Sequence, residues 1–192
     1  MKTVLHFGLS FFIEFGALLV FLYTSIFYDF FFGVKVLMFL TFVSFFVSWW
    51  RDRRIPVFAL ISTVGILISG TLSLYFQNAY FVVLEYTLYN LVFGLFTIAG
   101  YWTGRPLMKY LFHRMFDITD AGWQELSKRW GIFFLICVFL NEFFWHVYGE
   151  HVWLWYRVVI LVISLLFSFY QFKLTKQERN STANAYGLRV FP

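Results

Sequence analysis

Six apolar runs follow one another along the chain, covering about residues 4–28, 34–50, 55–76, 80–102, 131–148 and 152–172. A membrane-crossing helix needs roughly 20 mostly apolar residues. The runs lack the polar–apolar alternation of a transmembrane β-strand, and lipid offers no partner to unpaired backbone groups. The pattern therefore predicts an all-α fold: a polytopic transmembrane helical bundle of six segments. Glu14 interrupts the first run, and a charge there disfavours insertion. A re-entrant first segment, with five full spans, is the alternative. The apolar stretch runs past Glu14 to Tyr28 without a convincing cleavage site, so it reads as a retained helix rather than a signal peptide.

The joints are short and leave no room for a second domain, which predicts one transmembrane domain over residues 1–172. Asp29 and Gly33 bracket the first turn, Arg51-Asp52-Arg53-Arg54 forms the second, Gln77-Asn78 the third and Gly149-Glu150-His151 the fifth. On the third helix Gly65, Ser69 and Ser73 recur every four residues, a small-residue face suited to close helix approach. Between the fourth and fifth spans, Arg105, Lys109 and His113 also recur every four residues, with Leu107, Met108, Leu111, Phe112 and Met115 between them. This predicts an amphipathic interfacial helix over about residues 105–116, its apolar side in the acyl boundary. Thr119 or Asp120 caps the helix that follows, and Trp123 and Trp130 are expected at its membrane interface. Residues 173–192 read as a polar cytoplasmic tail, disordered or loosely held.

Composition agrees with this picture. Hydrophobic residues make up 61% of the chain and charged ones 13%, against about 25% charged in soluble domains. The lone Cys137 rules out an internal disulfide and reads as a small packing residue. With the Arg51–Arg54 turn inside, 13 of the 15 Lys and Arg fall on the cytoplasmic side, leaving Lys35 and Arg157 outside. That asymmetry predicts a multi-pass protein with a cytoplasmic C-terminus. The net charge of +5 sits at membrane edges and does not indicate nucleic acid. Arg105, Lys109, His113 and Arg114 form a basic stripe for anionic phospholipid headgroups.

Ionisable and amide groups inside lipid are costly and therefore informative. Glu85, Asn141, Glu142, His146 and Arg157 form a candidate intramembrane polar cluster, and Glu14 is a candidate buried acid. By rise per residue, Glu85, Glu142 and Arg157 fall at similar depth, where Arg157 could pair with either acid. The favoured reading is structural: such groups fix helix register. The alternative is a small ion or proton transporter, or a lipid-handling protein, using Glu142 and Glu14. Glu142, His146 and Glu150, with His151, give only a weak metal pattern, and haem ligation needs paired histidines at matching depth on different helices, whereas His6 and His113 fall on the opposite side from His146. No phosphate loop, nucleophile elbow or metalloprotease motif is present. Neither catalytic residues, a cofactor nor a metal site is expected.

The stretch Phe116-Asp117-Ile118-Thr119-Asp120-Ala121-Gly122-Trp123, continued by Arg129-Trp130-Gly131-Ile132-Phe133-Phe134 and Leu140-Asn141-Glu142, resembles the YciB family, also called intracellular septation protein A or inner membrane-spanning protein. Ile13-Glu14-Phe15-Gly16, Leu18-Leu19-Val20-Phe21, Ser48-Trp49, Gly70-Thr71-Leu72-Ser73-Leu74, Gln77-Asn78, Phe81 and Gly104-Arg105-Pro106-Leu107 add to the likeness, which covers about residues 11–171. The family often carries Lys-x-Lys-Pro-Thr at the start of the fourth helix. Here Val83-Leu84-Glu85-Tyr86-Thr87 stands there, keeping only the threonine and reversing a charge. A Lys near the start of the family's last helix is matched by Arg157. The resemblance implies a bacterial inner-membrane protein that supports cell-envelope biogenesis, septation and cell shape. It also implies a non-enzymatic scaffold for membrane partners of elongation and division. Self-association is left open.

Overall fold

The computed structural model describes residues 16–52 and 57–189. Among them the secondary structure is helical: α1 (Gly16–Phe27), then α2 (Phe30–Asp52), α3 (Val57–Phe76), α4 (Tyr80–Trp102), α5 (Leu107–Phe112) and α6 (Asp120–Gln177). Three helices are long and apolar enough to cross a membrane, and only 33%, 28% and 22% of their most apolar stretches are buried inside the protein. Phe39, Leu95, Phe96, Phe139, Leu166 and Phe169 stay exposed. In water such a surface would aggregate, whereas lipid solvates it.

The boundaries follow local chemistry. The second helix starts at Phe30 rather than near residue 34, because the Asp29 carboxylate accepts the Phe32 N–H at 2.8 Å and caps the helix there. Gly33, expected in the turn, is thus helical, and an added Cβ would strike Ser25. Asn78 likewise accepts the Tyr80 N–H at 2.9 Å at the start of α4. Thr119 is the N-cap of α6, accepting the Gly122 N–H at 3.0 Å. α6 is two helices joined at Gly149, whose φ of 76° and ψ of −173° break the helix where the fifth turn was expected. That conformation is essentially restricted to glycine.

The chain divides into two compact units. One contains residues 1–86 and 145–157. In it α2 buries Val34, Leu37, Thr41, Ser44 and Ser48, spaced alternately by three and four residues, a narrow seam of coiled-coil type. α3 packs on α2 and buries Thr63, Ser69 and Ser73, so part of the small-residue face is realised. The two helices come close at Gly70, where a Cβ would lie 2.5 Å from the Met38 sulfur and 3.3 Å from Val34.

The other unit contains residues 87–144 and 158–192. Here the limbs of α6 run back on each other: Phe133 stacks on Phe167 with centroids 4.4 Å apart, and Trp130 meets Phe167 edge-on. Gly94 and Gly131 admit Leu135 and Ile98 respectively. The interfacial helix is shorter than its periodicity suggested. Only Leu107–Phe112 is helical, because Gly104 takes a φ of +71° and Pro106 is extended before it, while residues 113–115 are turns after it. The Met108 N–H reaches the Ser127 hydroxyl at 3.3 Å. Met108, Ile118, Trp123, Leu126 and Leu174 form a buried core beneath α5. Trp123 is therefore an interior residue, not an interfacial anchor.

The tail is not loose. Short antiparallel bridges join Leu188 to Phe116 and Arg179 to Ile118. The Thr119 N–H bonds to the Glu178 carbonyl, the Asp117 N–H to that of Gly187, and the Arg189 N–H to that of Met115. The Asn180 side-chain amide donates to Asp117 at 2.7 Å. Composition marked this segment as polar, but its partners lie about sixty residues earlier in the chain and leave no local pattern.

Filling the contact of α3 with α2 at Gly70 should be costly. Gly70→Ile should destabilise the protein by about 1–3 kcal/mol, while Gly70→Ala, which needs only Met38 to move, should cost less. Unfolding in mixed micelles with increasing denaturing detergent reads the difference.

Candidate functional site

Thr87 lies about two turns into α4, buried, and faces Asn141 and Glu142 of α6. The Thr87 hydroxyl donates to Glu142 Oε1, and the Asn141 amide donates to the Thr87 oxygen at 2.9 Å. Asn141 is fully buried. In a medium without water this chain of donors satisfies groups that would otherwise be stranded, and it fixes the register of α4 against α6. Sequence reasoning picked Asn141 and Glu142 but set Thr87 aside as a match to a family motif. A hydroxyl within an apolar helix was the available signal.

Glu85, His146 and Arg157 belong to the other unit. Arg157 sets its guanidinium 3.6 Å above the Tyr86 ring and 5.6 Å from that of Trp153, a desolvated cation–π arrangement. The charge of Arg157 also acts on the Glu85 carboxyl, but the closest partners the geometry gives it are the rings. His146 packs beside Tyr80, ring centroids 5.4 Å apart. At the adjoining turn, partial desolvation raises the Glu150 carboxyl above its ordinary value; the Asp29 charge adds to this and His151 opposes it. Glu14 lies outside the described residues. Among those residues, no three His, Cys, Asp or Glu side chains converge as metal ligands.

The basic stripe is reshaped rather than lost. Arg105, Lys109 and His113 line one side of an open cleft of about 530 Å³. Asp120 and Gln124 of α6 and Arg189 of the tail contribute to its other walls. Arg114 is exposed but does not line it. Lys109 pairs with Asp120 at 2.5 Å, both side chains being well exposed, so the pair is worth at most about 1 kcal/mol. Arg189 reaches the cleft because Asp117 fastens the tail. Hydrogen bonds from Thr182 and Asn180 hold the Asp117 carboxyl below its ordinary range, with a smaller contribution from Arg189, whose Nη2 is 4.0 Å away.

A family model described as Intracellular septation protein A matches residues 9–181. The inner membrane-spanning protein YciB of Agrobacterium fabrum is 35% identical over 126 residues, which are 65% of this chain and 62% of that protein. Its namesake in Sinorhizobium medicae is 34% identical over 140 residues, 72% and 67% of the two chains. In Sinorhizobium fredii the figures are 35% over 139 residues, 70% and 66%. The matched stretch thus spans about three-fifths to two-thirds of these relatives' length. No solved structure matches the chain.

Two outcomes check this geometry. Because the Asp117 carboxyl is depressed, the stability it gives to tail docking is present above about pH 4 and is lost as pH falls through the lower native value. Asp117→Asn should mimic that loss at neutral pH, making residues 178–189 sensitive to protease while the helices stay protected. Asn141→Leu should destabilise by about 0.5–1.5 kcal/mol, and adding Thr87→Val should cost less than the sum of the single changes, because the two groups serve one bond.

Proposed function

The chain belongs to the intracellular septation protein A family of inner membrane-spanning proteins, and from that premise we propose that it supports septation and envelope construction by binding other membrane proteins of elongation and division, without catalysing a reaction. The observation that carries this reading is the docked tail. A loose C-terminal segment would leave α5 as a simple amphipathic strip. Instead residues 104–120 and 178–189 make one ordered polar surface over a small core. A surface whose shape is set before contact loses little entropy on binding, which suits a scaffold.

The Lys and Arg asymmetry supports a cytoplasmic location for this surface and the C-terminus. Arg105, Lys109, His113 and Arg114 then meet anionic phospholipid headgroups, while the outer face of the tail remains open to protein partners. Within lipid, the Thr87–Asn141–Glu142 contacts serve as helix connectors in this reading.

A second reading has a specific observation behind it. Glu142 is an acid within the membrane segment held by a hydroxyl, and such groups serve proton and ion paths. Glu142→Gln separates the two. It keeps an acceptor for Thr87 but removes the titratable proton. In a strain lacking the native gene, a scaffold with Glu142→Gln should restore normal septum placement, and Asp117→Asn, with its tail freed, should not. Failure of Glu142→Gln at normal membrane levels, together with full rescue by Asp117→Asn, would reverse the assignment in favour of transport.

A further inference from the structure

The cleft beside α5 gathers cations from three separate places in the chain. Arg105 comes from the turn before α5, Lys109 from α5 itself and Arg189 from the docked tail. Against them stands one acid, Asp120, already engaged by Lys109. The formal balance of these four groups is +2 with His113 neutral. The Arg105 guanidinium has no hydrogen-bond or ion-pair partner among the described residues, and Arg189 touches Asp117 only at 4.0 Å. Like charges brought together repel one another, so folding alone gives no reason to collect them. The Gln124 side-chain oxygen, buried on the wall of the same cleft, also lacks a partner among the described residues, and a buried acceptor ordinarily finds a donor.

We propose that this cleft binds a phosphate group, carried either by a lipid headgroup or by a soluble phosphate ester. Its volume of about 530 Å³ falls within the range of small-ligand sites, about 300–1,000 Å³. Two guanidinium groups provide planar forks that match phosphate oxygens, and the Lys109 ammonium adds a point charge. Since Arg189 belongs to the tail, the site is complete only while the tail is docked. Asp117, outside the cleft, is then a positioning residue for it. The basic stripe described above requires only diffuse attraction to a charged surface; the cleft requires a particular geometry, and Arg114 distinguishes the two because it shares the charge of that face but not the site.

The test uses full-length protein in uncharged detergent micelles, so it does not depend on septation partners or on orientation in a cell. Dihexanoyl-phosphatidylglycerol and inorganic phosphate are titrated separately and in competition, followed by calorimetry and phosphorus NMR line broadening. The expected result is saturable binding of at least one probe, weakened about tenfold by Arg105→Gln and by Arg189→Gln, equivalent to one charge-assisted contact, and changed less than twofold by Arg114→Gln. Asp117→Asn should weaken it as Arg189→Gln does, although it removes a negative charge. If inorganic phosphate displaces the lipid, the ligand is a soluble phosphate; if it does not, the ligand is the headgroup. Absence of saturable binding by both probes overturns the proposal. So does equal weakening by Arg105→Gln and Arg114→Gln, which would leave only diffuse attraction. Resistance of the tail to protease in Arg189→Gln checks that a loss there is not simply undocking.

Discussion

A lipid interior supplies no hydrogen bonds, and the main polar contacts described within the membrane segments answer that fact. The backbone answers it with helices, whose bonds close within each segment. Gly149 lies at the one joint where α6 departs from helical geometry, between two apolar runs rather than within either. Side chains answer it in two ways. Thr87, Asn141 and Glu142 satisfy one another directly, and Arg157 covers its charge with aromatic faces. Serines and threonines elsewhere on the helices turn back on their own backbone, as Ser44, Ser164 and Ser168 do, a bond available at any depth.

Beyond the apolar segments the constraint is lifted, and the structure changes character. Tail and connector pair through backbone bridges, a carboxylate with two side-chain donors, and a glycine at Gly187 whose φ of 76° lets the chain pass against the Thr175 carbonyl. A Cβ at that position would meet the carbonyl. The core here is small, a methionine, a tryptophan, an isoleucine and two leucines, of which Met108 and Trp123 read in the sequence as membrane-facing. Apolar residues next to a span carry no mark that tells lipid contact from protein contact.

That ambiguity explains what was legible and what was not. Helix number, order and approximate extent came from run length, because lipid imposes that length directly. The Gly149 joint and the Thr119 cap were readable because glycine and threonine have local backbone preferences. The α5 periodicity was real as a grouping of Arg105, Lys109 and His113 on one side, but it overstated the helix, since the Gly104–Pro106 geometry before it and the turns after it outweigh the four-residue spacing. The polar residues of the membrane segments could be named but not partnered: depth counting aligned Glu85, Glu142 and Arg157, whereas rotation about each helix axis decides contact, and small moments on helices apolar all round do not encode rotation. The tail was missed because its bonds span about sixty residues and involve Asp, Asn and Thr, which in composition are simply polar.

The docked tail also sets an order of events during synthesis. Residues 178–189 are translated after every apolar segment, so the polar surface they complete does not exist on a half-inserted chain. Docking of this segment therefore waits on the helices before it, through backbone hydrogen bonds that close only when both strands of the pairing are present.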